Sequence, residues 1–246
     1  MTRGLPEWRE CLQDVIQMNK KIAEGQPASP QLQRIGAAAA DELRAEVRAA
    51  LGGLFTGFMD HLRAALTQAA QATPNRAVQA SAQQLTQQLA SAAVSWSNDF
   101  LKHVDDQLVG GLGGNRQESS RTQGGAEEIA VAGMELRAEA RYQALITELD
   151  VRLNRIRLML YVPIYARALA PAGLFRSLHD TAEAQGWPVA QRLFLFKQFD
   201  AKVIPQLEAL YRNLLDALKT IGAVAEKVVA ENPSAAEAAV PVIPAK

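Results

Sequence analysis

The chain is poor in the residues that most often announce chemistry. It has one cysteine, Cys11, in 246 residues, so no intrachain disulfide can form and a disulfide-stapled secreted fold is excluded. Three histidines beside that single thiol leave too few soft ligands for a structural zinc site. There is no excess of either charge: 26 Lys and Arg balance 26 Asp and Glu, so no global field draws the chain to nucleic acid or to anionic lipid. No stretch approaches the length of uninterrupted apolar sequence that a membrane span requires, and the start, Met1 to Glu10, has no apolar run behind its basic residue. These absences lead us to expect a soluble, cytoplasmic protein with no membrane span, no cofactor and no bound metal.

Helix formers dominate, and apolar residues recur at three and four rather than at two, which predicts an all-α fold. Leu5, Trp8, Leu12, Val15, Ile16 and Ile22 keep that spacing through a first helix that Gly25 and Pro27 end. Ser29 and Pro30 open a long second helix, whose stripe runs from Ile35 through Leu43, Leu51 and Phe58 to Leu66. Thr73 and Pro74 repeat the capping signal, and Leu85, Leu89, Trp96, Phe100, Val104 and Leu108 mark the next helix. So short a connection makes these two helices a long antiparallel hairpin. Residues 1–109 therefore read as an N-terminal helical region.

Residues 110–126 are rich in glycine and polar residues and read as a flexible linker. Gly110 to Gly114 lacks the strand, helix and Lys-Ser or Lys-Thr pair of a phosphate-binding loop. Residues 127–231 form the second region, a C-terminal helical bundle. Its first helix carries Tyr142, Leu149, Leu153 and Ile156, and Pro163 kinks or breaks it. A shorter helix runs from Pro171 to Gly186, and a last long one from Pro188 is predicted to bend about four residues before Pro205. Leu158 to Tyr165 and Leu193 to Phe196 are apolar on more than one face, which places them at the centre of this half. Residues 232–246 read as a disordered tail.

Several groups of residues invite a chemical reading. His179-Asp180 could ligate a divalent ion, but His61 and His103 lie in the other half, so a solvated helix face is the simpler account. Cys11 has no histidine close in sequence to activate it. The carboxylate pairs Asp105-Asp106 and Glu127-Glu128 read as surface or helix-terminal charge. Gly53 and Gly57 match a small-xxx-small pattern, which predicts a close helix crossing or a local break that a larger side chain would disturb.

Two surfaces stand out. Arg137, Arg141, Glu148, Arg152 and Arg155 fall on one helical stripe with an excess of positive charge. It suits an acidic partner or a phosphate; equally, it suits a solvated face with Glu148 and Arg152 paired. The absence of interleaved aromatics argues against single-stranded nucleic acid. The second surface is unusual for its lack of charge: between Ala64 and Asn98 only Arg76 is charged. Gln79, Gln83, Gln84, Gln87 and Gln88 sit there among Ala and Ser. A polar, uncharged face costs little to desolvate and suits a protein partner or a second copy, although a weakly specified surface hairpin has the same composition.

From Glu127 to Gly222 the chain resembles the C-terminal region of a bacterial all-helical family, domain of unknown function 1631. Leu149, Leu153 and Ile156 carry the likeness, with Leu169-Ala170-Pro171-Ala172-Gly173-Leu174-Phe175, Gly186-Trp187-Pro188 and Arg192-Leu193-Phe194-Leu195-Phe196. It continues through Phe199, Val203, Leu207, Leu210-Tyr211, Asn213, Leu214 and Ile221-Gly222. Longer members of that family resemble multidomain signalling proteins, some with cyclic-dinucleotide-binding modules, and some bear a thymidine phosphorylase label. This chain lacks the Asn-Pro usual before the Pro-x-x-Leu segment and the Arg-rich loop of a cyclic-dinucleotide module. The resemblance therefore implies a helical adaptor or regulator and argues against the phosphorylase label; a nucleotide-responsive signalling protein with Arg152, Arg155 and Arg157 near a phosphate is the alternative.

Overall fold

A computed structural model describes residues 30–110, 125–160 and 162–231. The predicted first helix with Cys11, most of the Gly-rich linker and the C-terminal tail lie outside the described residues. The fold is all-α, with no strand among the described residues. Helix α1 spans Pro30–Ala72 and α2 spans Arg76–Gly110. They form the long antiparallel hairpin, in which Phe55 stacks on Phe100 at 4.3 Å and Arg44 reaches Asp105. Helix α3 (Ala126–Leu160) is followed by a non-helical segment at 162–165 and a 3₁₀ turn (Ala166–Ala168) before α4 (Pro171–Ala184). Helix α5 (Val189–Lys202), a second 3₁₀ turn (Ile204–Gln206) and α6 (Leu207–Glu231) complete the bundle.

The hairpin and the bundle share one hydrophobic core. At its centre Phe199 meets Phe58 at 5.3 Å, Phe100 at 6.2 Å and Phe175 at 5.4 Å, so a single α5 side chain touches α1, α2 and α4. Rings at these separations and tilts add edge-to-face attraction to the burial of their area. Trp96 of α2 packs edge-on against Trp187 at 4.8 Å. Trp187 is aimed there by the end of α4. Gly186 adopts a left-handed φ of 69°, and the amides of Gly186 and Trp187 donate to the carbonyls of Glu183 and Ala182. That pair of hydrogen bonds closes the helix and requires a residue without a Cβ penalty.

Prolines and caps act where the sequence puts them, with three differences. Pro163 does break the helix: α3 ends at Leu160 and residues 162–165 are non-helical, with Val162 and Ile164 buried and Pro163 facing outward. Pro205 does more than bend a helix. Without an amide hydrogen, and with its ring against the preceding turn, it separates α5 from α6 by the 3₁₀ turn. At the hairpin tip the cap is Asn75 rather than Thr73. The Asn75 side-chain oxygen accepts from the amide of Ala77 at 2.9 Å, while Thr73 Oγ1 accepts from the Asn75 amide. Gly53 and Gly57 mark no tight crossing, because both are exposed and a Cβ at either would touch nothing within 4 Å. The close approaches are at other glycines. A Cβ on Gly36 would collide with the Leu160 carbonyl and lie 2.8 Å from Val162 Cγ1, and one on Gly173 would sit 2.7 Å from the Ala168 carbonyl oxygen.

Candidate functional site

The uncharged face lies on the half of the hairpin farthest from the aromatic centre. Between residues 63 and 95 the buried hydrophobic side chains are Leu66, Ala70, Ala82, Leu85 and Leu89. They form a narrow seam between α1 and α2. Gln83, Gln84, Gln87 and Gln88 are exposed, whereas Gln79 is half-buried. Val78 and Val94 add exposed apolar surface, Val94 being 75% exposed. Thr86 and Ser91 turn their hydroxyls back onto the α2 carbonyls at Ala82 and Gln88, which leaves the glutamine amides as the outward hydrogen-bonding groups.

The basic stripe is built but compensated. Arg152 donates to Glu148 at 2.6 Å, Arg155 pairs with Glu226 at 2.8 Å and Arg137 with Asp200 at 3.5 Å, while the Arg141 guanidinium lies 5.2 Å from the Tyr142 ring centre. Between α3 and α6 runs a groove of about 210 Å³ lined by Arg152, Arg155, Lys219 and Glu226 over Ile156 and Leu218. Lys219 in turn donates to Asp216. Each cation in the groove thus has a carboxylate of its own chain beside it.

A second polar cluster lies where α4 meets α5. His179, Asp180 and Glu183 bring their ligand atoms within 4.8 Å of one another, the one such group of three among the described residues. His179 lies parallel to the Phe196 ring at 6.3 Å. Its hydrogen bond to Asp180 raises the imidazole pKa above the ordinary histidine value; burial and Arg192 oppose the shift, and Glu183 adds to it. A raised pKa favours the imidazolium, which is the form that cannot ligate a metal. The geometry is that of a histidine paired with two carboxylates on a helix surface.

Two carboxylates expected at the surface are drawn into cross-helix ion pairs. Glu127 receives Nε and Nη2 of Arg192 at 2.9 and 3.0 Å, joining α3 to α5. Asp105 receives Nε and Nη2 of Arg44 at 2.7 and 2.5 Å, joining α2 to α1. The hydrogen bond from Arg44 lowers the Asp105 pKa below the ordinary aspartate value. Sequence reasoning missed these pairs because their partners are 65 and 61 residues away. Tyr142 and Tyr211 make comparable ties through their hydroxyls, which donate to the carbonyls of Ile204 and Leu169, each at 2.8 Å. Burial raises the pKa of both phenols, so they stay protonated as donors.

The structure therefore keeps the two surfaces apart, with the glutamine face on α2 and the arginine stripe on α3. No helix among the described residues is long and apolar enough to cross a membrane. No curated protein and no solved structure matches the chain. The family model described as protein of unknown function (DUF1631), N-terminal domain, matches residues 36–222. The likeness thus reaches back from Glu127 to Gly36, takes in the hairpin as well as the bundle, and falls on the family's N-terminal domain rather than its C-terminal region. Gly36 and the paired core of hairpin and bundle are inside that match, and the chain belongs to the DUF1631 family.

Proposed function

We propose that the protein is a non-catalytic helical adaptor or regulator in bacterial signalling, and that it docks a protein partner, or a second copy, on the uncharged face of α2. The observation that carries this reading is the exposure of Gln83, Gln84, Gln87 and Gln88 on a stretch of α2 in which, from its start to Asn98, Arg76 is the one charged residue. Charged side chains are depleted at the centres of protein interfaces because their desolvation is costly, whereas amides lose little when they exchange water for a partner's groups. The narrow seam beneath lets this half of the hairpin adapt to a docked surface without disturbing the aromatic core.

The test is replacement of Gln84 and Gln88 by Glu, with affinity capture and light scattering on the full chain. The double variant is expected to keep its melting temperature and to lose the protein partner captured through this face. Wild-type capture of that partner by the variant would refute docking on this face.

A second reading, a nucleotide-responsive protein, has the groove beside Arg152 and Arg155 in its favour. The carboxylates already paired with those cations weigh against it, since a phosphate would have to displace Glu148 and Glu226. A thermal-shift panel of nucleotides separates the two: ligand at a hundred times its dissociation constant stabilises by about 2.7 kcal/mol.

A further inference from the structure

Helix α3 carries an apolar stripe on its solvent side that the described residues leave uncovered. Ile129, Leu136 and Val151 are 68%, 70% and 63% exposed. Ala140, Ala144 and Thr147 are exposed between them, and Gly133 is half-buried. The seven fall within about 80° of one another on the helix. They also repeat: Ile129, Ala140 and Val151 are eleven residues apart, as are Gly133 and Ala144, and Leu136 and Thr147. An eleven-residue spacing is close to three whole helical turns, so the stripe stays on one side of a nearly straight helix for its full length of about 33 Å. Small residues at its centre allow another helix to approach closely.

The flanks indicate what covers it. On one side lie Arg137, Arg141, Glu148 and Arg155; on the other, Glu139 and Asp150, with Arg157 at the C-terminal end of the helix. The first flank is positive on balance and the second negative. Two α3 helices packed antiparallel would set like flank against like, whereas two packed parallel set the basic flank of each against the acidic flank of the other at the same level. Arg137 and Arg141 then straddle Glu139 of the second copy, and Arg155 reaches toward its Asp150. The bonds of Arg137 to Asp200 and of Arg155 to Glu226 are no obstacle. Both arginines are more than two-thirds exposed and can share their charge with a second carboxylate.

We propose that a second copy of this chain covers the stripe, in a parallel two-fold pairing of α3 helices centred on Leu136, Ala140 and Ala144. This surface is separate from the glutamine face of α2, and the proposal does not rest on the partner reading above.

The test is the oligomeric state of the full chain by light scattering and sedimentation, with Leu136→Glu and, separately, Gln84→Glu with Gln88→Glu. The wild type is expected to dimerise, Leu136→Glu to weaken the dimer at least roughly tenfold, and the glutamine double variant to leave it unchanged. Because residue 136 is exposed, the folded state of Leu136→Glu is checked by an unchanged melt of the monomer. Orientation is read by Ile129→Cys in a Cys11→Ser background. Parallel pairing brings the two introduced thiols together and gives a disulfide-linked dimer on oxidation, whereas antiparallel pairing holds them about 33 Å apart. A wild-type monomer, a dimer indifferent to Leu136→Glu, or a dimer that oxidation leaves uncrosslinked at residue 129 would each overturn the proposal. A dimer lost in the glutamine double variant alone would move self-association to the hairpin.

Discussion

The two ends of the hairpin are built from the same two helices and obey different physics. At the root, Phe58 and Phe100 meet Phe199 of α5, Trp96 meets Trp187 in the loop between α4 and α5, Phe55 stacks on Phe100, and Arg44 and Asp105 close the side of the pair. At the tip the seam holds leucine and alanine, the outer surface is glutamine, alanine and serine, and Asn75 caps the turn. The root has partners from the rest of the chain and can specify its packing. Among the described residues, the buried side chains of the tip lie in the seam between its own two helices, and Gln83, Gln84, Gln87 and Gln88 face outward.

Truncating the root should have the largest effect. Phe199→Ala removes the ring that α1, α2 and α4 share and should cost about 3–5 kcal/mol, read as a shift of the denaturant midpoint of the whole chain. Leu85→Ala, in the tip, should instead raise amide exchange locally while the aromatic core keeps its protection. Equal, global losses from both would erase the distinction between root and tip.

Glycines sharpen it at the next level. Gly36→Ala pushes a methyl into the Leu160 carbonyl, where backbone has to move, and should destabilise by about 1–3 kcal/mol. Gly57→Ala meets nothing and replaces a poor helix former on an exposed face, so it should stabilise by about 0.5–1 kcal/mol. Thermal melts of the two single variants should therefore move in opposite directions. A loss at Gly57 would restore the close crossing that the small-xxx-small spacing suggests.

The smallest effect separates the ends by pH. Asp105 has its pKa lowered in the fold, so its ion pair contributes fully above the unfolded aspartate value and is lost as pH falls through the folded one. The melting temperatures of wild type and Asp105→Asn should differ modestly at neutral pH and converge below about pH 4. The tip, whose uncharged face has no carboxylate between Ala64 and Asn98, has no such dependence. A gap between wild type and variant that persists in acid would assign the effect to packing rather than to charge.

Much of this architecture is legible in the residues. The all-α class, the hairpin, the break at Pro163 and the stop at Gly186 follow from spacing, proline and glycine, because these act within one or two turns of helix. Reading goes astray where two local rules compete. Thr73 and Asn75 both can cap, and the geometry of the turn chose Asn75. Pro205 was sufficient to bend a helix, and the buried Ile204 and Leu207 on either side made the bend a full 3₁₀ break. The glutamine face was legible because the near-absence of charge from Ala64 to Asn98, broken by Arg76, is a property of sequence alone.

Which surfaces remain free is another matter. The sequence by itself determined that the chain is helical, where most of its described helices begin and end, and which faces are apolar, since each depends on neighbours along the chain. Only the tertiary structure decided that Phe199 joins three helices, that Gly36 rather than Gly57 is the tight contact, and that Glu127 and Asp105 are paired across the fold. It also decided that Ile129, Leu136 and Val151 stay outside the core while Tyr142, Leu149 and Leu153 of the same helix are buried. Periodicity fixes the relative directions of side chains around one helix. The direction that becomes the interior depends on helices tens of residues away, and no local pattern records it.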